Sequence, residues 1–215
     1  MKKLHISIFL FLVIFILSAC TNNVPVNEES NNETKNIEKN ITLESGSYIV
    51  DKENSIVNWT GRRIASSHSG TVKIKSGKIN IVENNNLENS SIIIDMSSIK
   101  DNDGSERLEE HLKSEDFFAV SNYPESEIFL KEIKNISGDN YQIISDLTIK
   151  EITKEITFPA KIIVSNGILE AEASFEIDRS EFEIKYGSNS FFSDLGDKAI
   201  KNEIEFKINL FAGKD

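Results

Sequence analysis

Few residues in this chain are equipped for chemistry. It carries three histidines and one cysteine in 215 residues, and His5 falls in an apolar leader, which leaves His68 and His111. His68 sits in SSHSGTV, just ahead of an alternating run. Its imidazole could donate to a carbonyl or phosphate oxygen, or it could cap its loop. Arg179, in IDRSEF, could grip a phosphate through two parallel N–H groups. Asp178 and Glu181 beside it offer a structural ion pair, which is the simpler assignment. His111 shares a face with Leu108 and Leu112 at helical spacing and reads as a core histidine. No metal site is expected, because the sequence has no HxH or HExxH spacing. No GxSxG is present, and no base is spaced to activate a serine. The weak best case for catalysis joins His68 to Asp95 or Asp197. Gly196-Asp197-Lys198 is too short to cradle a phosphate and reads as a turn.

The elements that must position these residues are strands. In GILEAEASFEID, Leu169, Ala171, Ala173, Phe175 and Ile177 lie on one face, and Glu170, Glu172, Ser174 and Glu176 on the other. EIEFKINLF and EITFPAKIIV alternate in the same way, and SIVNWTG, SSIIIDM, SEIFLKEI and YQIISDLTI add further strands. Period-two alternation with one wet face marks antiparallel sheet. GTVKIKSGKINIV reads as a hairpin turning at Ser76-Gly77. In DNDGSERLEEHLKSEDFF, Ser105 is the expected N-cap of one short helix, with acids early and Lys113 late. The fold class is therefore all-β, an antiparallel sheet closing into a barrel or folding into a sandwich. Strands as long as Ile168–Asp178 favour an extended barrel with a long interior. Ala160, Ala171 and Ala173 could leave room inside it, or could accommodate bulky neighbours such as Phe158 and Phe175.

The ends of the chain point to export. Lys2 and Lys3 precede an apolar run, Leu4 to Leu17, that is too short for a comfortable membrane span. Leu17-Ser18-Ala19-Cys20 fits the lipobox of bacterial lipoproteins, so residues 1–19 are expected to be removed and Cys20 lipidated. Stable anchoring takes more than one acyl chain. The expected location is the cell envelope, periplasmic or on the outer surface, with the protein held at a membrane through Cys20. Thr21 and Asn22 include no Asp after the cysteine, which leans toward an outer membrane where two membranes exist. With no second cysteine, no intramolecular disulfide forms and the core alone must hold the fold. The net charge of −11 argues against nucleic acid and against a basic surface for anionic lipid heads. Residues 20–46 are Asn/Glu-rich and read as a disordered tether, with an N-terminal binding segment as the alternative. Residues 47–212 make one domain.

Taken in order, YIVDKENSIVNWTGRR, SHSGTVKIKSGKI, IDMSSI, LEEHLKSEDFFAVSNYPESEI, DLTIKEITKEITFPAKI, IDRSEFEIKYG and LGDKAIKNEIEFKINL resemble the YceI-like family of polyisoprenoid-binding proteins across nearly all of residues 48–211. One position departs. Glu151 stands where the family usually has glycine after LTIK, which bears on the geometry of that turn. The resemblance implies a lipocalin-like barrel, non-enzymatic, holding a long isoprenoid chain such as a polyprenyl lipid or an isoprenoid quinone. The protein would then be a carrier or reservoir, and the resemblance admits a homodimer. On that reading Trp59, Phe117, Phe118, Phe158, Phe175 and Phe206 would line the interior, with Tyr186, Phe191 and Phe192. His68 or Arg179 would meet the head group. In each of the pairs Phe117-Phe118 and Phe191-Phe192, one ring would pack under a loop or helix and the other would face the lumen. The alternatives are a scaffold lipoprotein whose barrel is filled, and an enzyme acting on a lipid held in the tunnel.

Overall fold

The computed structural model describes residues 42–215. The leader, Cys20 and the tether up to residue 41 lie outside them. The last residues of the expected tether belong to the fold: Leu43 is buried in the core, and its N–H donates to Asn85 Oδ1 at 2.7 Å.

Nine strands are present among the described residues: β1 (Gly46–Val50), β2 (Ile56–Arg63), β3 (Ser67–Ile81), β4 (Ser90–Asp101), β5 (Glu125–Ser137), β6 (Asn140–Ile149), β7 (Ile152–Ser165), β8 (Ile168–Asp178) and β9 (Ile200–Lys214). From β2 to β9 each strand pairs antiparallel with the next in sequence, and β9 returns to β2, with Trp59 opposite Phe206. The result is a closed eight-stranded antiparallel barrel. β1 slots between the far ends of β3 and β9, in line with β2. The two together make one interrupted stave, and closure leaves no sheet edge open along the barrel. The interruption is local. Asp51 Oδ1 accepts the N–H groups of Glu53 and Asn54 at 3.1 and 3.2 Å, which forces a tight turn before Ser55 rejoins the sheet through Phe211.

The expected hairpin at Ser76-Gly77 does not form. β3 runs unbroken for 15 residues and passes that point with a bulge opposite Ile93 and Ile94 of β4. Gly77 serves the split in the first stave instead. A Cβ there would come within 2.6 Å of Val50 Cγ2, so the absence of a side chain lets β1 cross close above it.

The interior has two halves. At the end where β1 docks, Tyr48, Ile81, Tyr141, Leu169 and Ala212 are fully buried and the barrel is packed solid. The opposite end carries the Arg63–Ser67 hairpin, the one α-helix among the described residues, α1 (Glu106–Lys113), the Lys150-Glu151 turn and the long 179–199 connection. Ser105 caps α1 as expected, its Oγ accepting the Leu108 N–H at 3.3 Å. Glu109 locks the helix to β4. Its carboxylate takes the Lys100 ammonium at 2.7 Å and the Asp101 N–H at 3.1 Å, and these donors hold it below the usual carboxylate range.

The turn between β6 and β7 explains why glycine suits it. Ile149 pairs with Ile152, and both connecting residues are left-handed, Lys150 at φ 52° and Glu151 at φ 62°. A two-residue turn of this kind favours glycine, because a Cβ strains the left-handed region. Glu151→Gly is expected to raise stability by roughly 0.5–1 kcal/mol, read by urea denaturation. A loss of stability would show that this turn carries no such strain.

Candidate ligand cavity

The open half of the barrel encloses a cavity of about 150 Å³, lined almost entirely by apolar side chains. Its walls come from the inward-facing positions of β2, β3, β4, β5, β6, β8 and β9, and its lid from α1 and the turn after it. Ile204, Phe206 and Ile208 are only partly buried although they point inward, because they face this space.

Seven of the residues singled out in the sequence reach the cavity wall: Trp59, His68, Phe117 and Phe118, together with Phe175, Arg179 and Phe206. Trp59 lies over Gly70 of β3. A Cβ at Gly70 would meet the Lys100 carbonyl oxygen at 1.8 Å and the Trp59 ring at 2.6 Å. The wall beside Trp59 therefore depends on a bare backbone. Gly70→Ala is expected to cost about 2–3 kcal/mol in thermal or urea unfolding, since backbone rather than a flexible side chain must yield. A neutral result would remove Gly70 from the account of this wall.

The two adjacent phenylalanines behave differently from the expectation of one ring in and one out. That expectation applies strand geometry, but residues 115–118 form a turn. The Phe118 N–H returns to Leu112 O at 3.1 Å, Val120 N–H to Lys113 O at 2.9 Å, and Ala119 is left-handed. The chain coils back past the helix end, so both rings roll to the same side and both line the cavity. Phe117 is the buried wedge. It lies 5.0 Å from the His111 ring, 5.4 Å from Tyr186 and 5.9 Å from the Arg179 guanidinium.

Four of the nominated residues lie elsewhere. Phe158 is buried and stacked beneath Phe175 at 4.4 Å, outside the cavity wall. Ala160, Ala171 and Ala173 also lie outside the wall and so do not make room for a ligand there; Ala160 pairs with Ala173, and Ala171 sits between Ile162 and Leu210. Tyr186 supports the lid from outside, edge-on to His111 at 4.7 Å. Phe191 and Phe192 are 47 % and 49 % exposed on the 179–199 connection, and neither ring enters the lumen. Their N–H groups both return to Ser188 O, a tight turn that throws the rings outward.

The polar candidates are also rearranged. Arg179 does not pair with Asp178 or Glu181. Asp178 accepts the N–H and hydroxyl of Ser180 instead. Arg179, 1 % exposed, donates to three carbonyls: Lys201 O at 3.0 Å, Ile184 O at 2.7 Å and Ile200 O at 3.2 Å. Burial pulls its pKa below the ordinary guanidinium value, against the pull of Asp178 and Glu203. His111 is a rim residue rather than a core one. It lines the cavity and has its Nε2 3.0 Å from Asp116 Oδ2. Asp95, a suggested catalytic partner of His68, turns its carboxylate to Ser97. His68 faces Asp101 instead, Nδ1 to Oδ1 at 3.8 Å.

Sequence reasoning missed the aliphatic half of the wall, including Val57, Val72, Ile94, Met96, Leu147 and Ile208. All lie on the inward face of alternating strands, so alternation carried the signal; only the aromatic positions were nominated. It also missed Arg62, Arg63 and Lys201 at the rim. Arg62 is held by Glu205 at 2.6 Å. Three polar atoms of the wall residues, Trp59 Nε1, His68 Nδ1 and Ser126 Oγ, are buried without a hydrogen-bond partner.

A closed antiparallel barrel, solid at one end and apolar-lined under a helical lid at the other, is a calyx built to enclose something greasy or nothing at all. The chain belongs to the YceI-like family: residues 48–212 match the model described as YceI-like domain. It is 30% identical over 144 residues to the UPF0312 protein plu2095 of Photorhabdus laumondii, covering 65% of this chain and 71% of that one. It is 32% identical over 120 residues to Protein YceI of Escherichia coli, where the match spans 54% of this chain and 61% of the relative's length. Among solved structures it is similar to a polyisoprenoid binding domain from Saccharophagus degradans, at TM-score 0.59 and 11% identity, covering 80% of this chain and all of that one. It is also similar to BcnA of Burkholderia cenocepacia, at TM-score 0.57 and 18% identity, covering 75% of this chain and 98% of that one. At those identities the structural likeness concerns the fold.

Proposed function

We propose that this protein binds a long-chain isoprenoid lipid, a polyprenyl lipid or an isoprenoid quinone, with part of the chain in the apolar cavity. It does so without catalysis, as a carrier or reservoir held at a membrane through Cys20. The observation that carries this is the cavity itself: an unfilled apolar space in the middle of a barrel that is packed solid below it. A scaffold would have no use for that gap, since filling it stabilises the fold by roughly 25 cal/mol per Å² of apolar area buried. The similarity to a protein whose solved domain binds polyisoprenoid supports the choice of ligand.

Size sharpens the proposal. An apolar cavity of about 150 Å³ takes one benzene-sized group, so roughly one isoprene unit fits without movement. A longer chain requires the lid of α1, Phe117 and Phe118 to lift. The free energy for lifting it comes from hydrocarbon burial, about 0.8 kcal/mol per CH₂.

The direct test is to purify residues 21–215 from a bacterial host without detergent, extract with organic solvent and identify the extract by mass spectrometry. A stoichiometric polyprenol, polyprenyl phosphate or quinone is the expected result. A clean extract that stays clean after incubation with added quinone and polyprenyl phosphate overturns the proposal.

A further inference from the structure

The second feature at the rim is chemical rather than apolar. His68 enters at the start of β3, Asp101 ends β4, and Asp103 follows in the turn that leads to α1. Each offers one ligand atom, and these atoms all lie within 4.8 Å of one another. The cluster mixes one imidazole with two carboxylates, and its central member is inward-facing. The Asp101 side chain is 0 % exposed. Its Oδ2 accepts the Ser105 N–H at 3.1 Å, but Oδ1 has no hydrogen-bond partner. Oδ1 points at His68 Nδ1, which is also buried and unpartnered, across 3.8 Å, too long for a hydrogen bond.

Buried polar atoms are rarely left in this state, and an unfilled ion site is one of the ordinary reasons for it. Two cations of this region are committed elsewhere: Lys100 to Glu109 and Arg62 to Glu205. Within the cluster two carboxylates face one imidazole.

We propose that His68, Asp101 and Asp103 form a site for a divalent transition ion of the Zn²⁺ class at the barrel rim. An imidazole nitrogen with two carboxylate oxygens suits zinc and its first-row neighbours. Mg²⁺ and Ca²⁺ prefer oxygen throughout. Ligands about 2.1 Å from a tetrahedral zinc stand roughly 3.4 Å apart. Contraction from the present spacing falls to His68, 42 % exposed, and to the exposed Asp103, the two members free to move. Asp101 is already oriented by the backbone of Ser105, the outer-shell support that a metal-binding carboxylate needs. Three protein ligands leave a fourth position open to water. The ion would tie β3, β4 and the helix cap together. The site stands whether or not the cavity holds a lipid.

The test is calorimetric titration of the full-length chain, solubilised in detergent, with ZnCl₂. It is paired with NMR of the histidine rings and with thermal unfolding. One Zn²⁺ per chain is expected, with the His68 ring resonances shifting to saturation at that ratio and the unfolding midpoint rising with zinc. The H68A/D103N double variant should bind at least tenfold more weakly and lose the zinc-dependent midpoint shift; it leaves Asp101 in place because Ser105 depends on it. No heat of binding, or unchanged binding in the double variant, overturns the site. The ring spectra decide the matter on the wild-type chain alone: shifts confined to His5 or His111 overturn it even if the variant fails to fold.

Discussion

Arg179→Met should lower the stability of the barrel by about 3 kcal/mol, although Arg179 has no carboxylate hydrogen-bonded to it. The cation is inside the protein, and its three hydrogen bonds all end on backbone oxygens, those of Ile184, Ile200 and Lys201. Methionine fills similar space but satisfies none of them. An orphaned buried carbonyl costs roughly 1–3 kcal/mol, while removing a desolvated charge returns part of that sum. The net loss remains large because the three carbonyls belong to two separate segments, the end of the 179–184 turn and the start of β9. Arg179 is what draws them together under Phe117. For a domain of this size the unfolding midpoint should fall by roughly 6–12 °C. Arg179→Lys should recover about 1 kcal/mol at most, since one ammonium on a flexible stem cannot span the same fork. A loss below about 1 kcal/mol in Arg179→Met, with lipid binding abolished, would reverse the assignment and return Arg179 to the head-group role that its sequence context first suggested.

That case shows where the sequence stopped being legible. Strand faces could be read because a one-residue slip would turn every glutamate of GILEAEASFEID inward. The barrel, helix α1 and the Ser105 cap all follow from patterns that repeat or sit within four residues of each other. Arg179 could not be read, because backbone carbonyls look the same at every position and only the fold decides which three converge. Gly77 was misread for a related reason. A glycine inside an alternating run signals either a turn or a close approach, and the approaching residue, Val50, lies 27 positions earlier. Phe117 and Phe118 raised a false puzzle, since the rule that adjacent side chains oppose each other holds only on a strand. The pairing of His68 with Asp101 bridges 33 residues and resembles no ligand spacing. Of the cavity, the aromatic positions were the easier half to name. The aliphatic wall is drawn from six strands, and only closure of the barrel shows which of the inward positions lie level with the gap and which with the packed base.

The largest functional effect should come from filling that gap from its wall. Ile208 of β9 lies on the cavity side, only partly buried and opposite Val57. Ile208→Trp places a larger ring where there is already empty space, so it should fold with little loss of stability. Overpacking a filled site, by contrast, typically costs 1–3 kcal/mol. Ligand binding should suffer more. If the indole excludes a single isoprene unit, the lost burial of five carbons at about 0.8 kcal/mol each is near 4 kcal/mol, a several-hundredfold loss in affinity. Incomplete exclusion still leaves at least a tenfold drop in isoprenoid recovered by solvent extraction, normalised to protein. The unfolding midpoint, measured on lipid-stripped samples, should stay close to wild type. Two other outcomes are informative. If the variant keeps its full complement of lipid, the chain does not occupy the space beside Ile208, and the ligand would have to sit against the exposed rings of Phe191 and Phe192. If the variant unfolds, the space beside Ile208 is not available even to an indole, and the claim that an isoprenoid enters there fails with it.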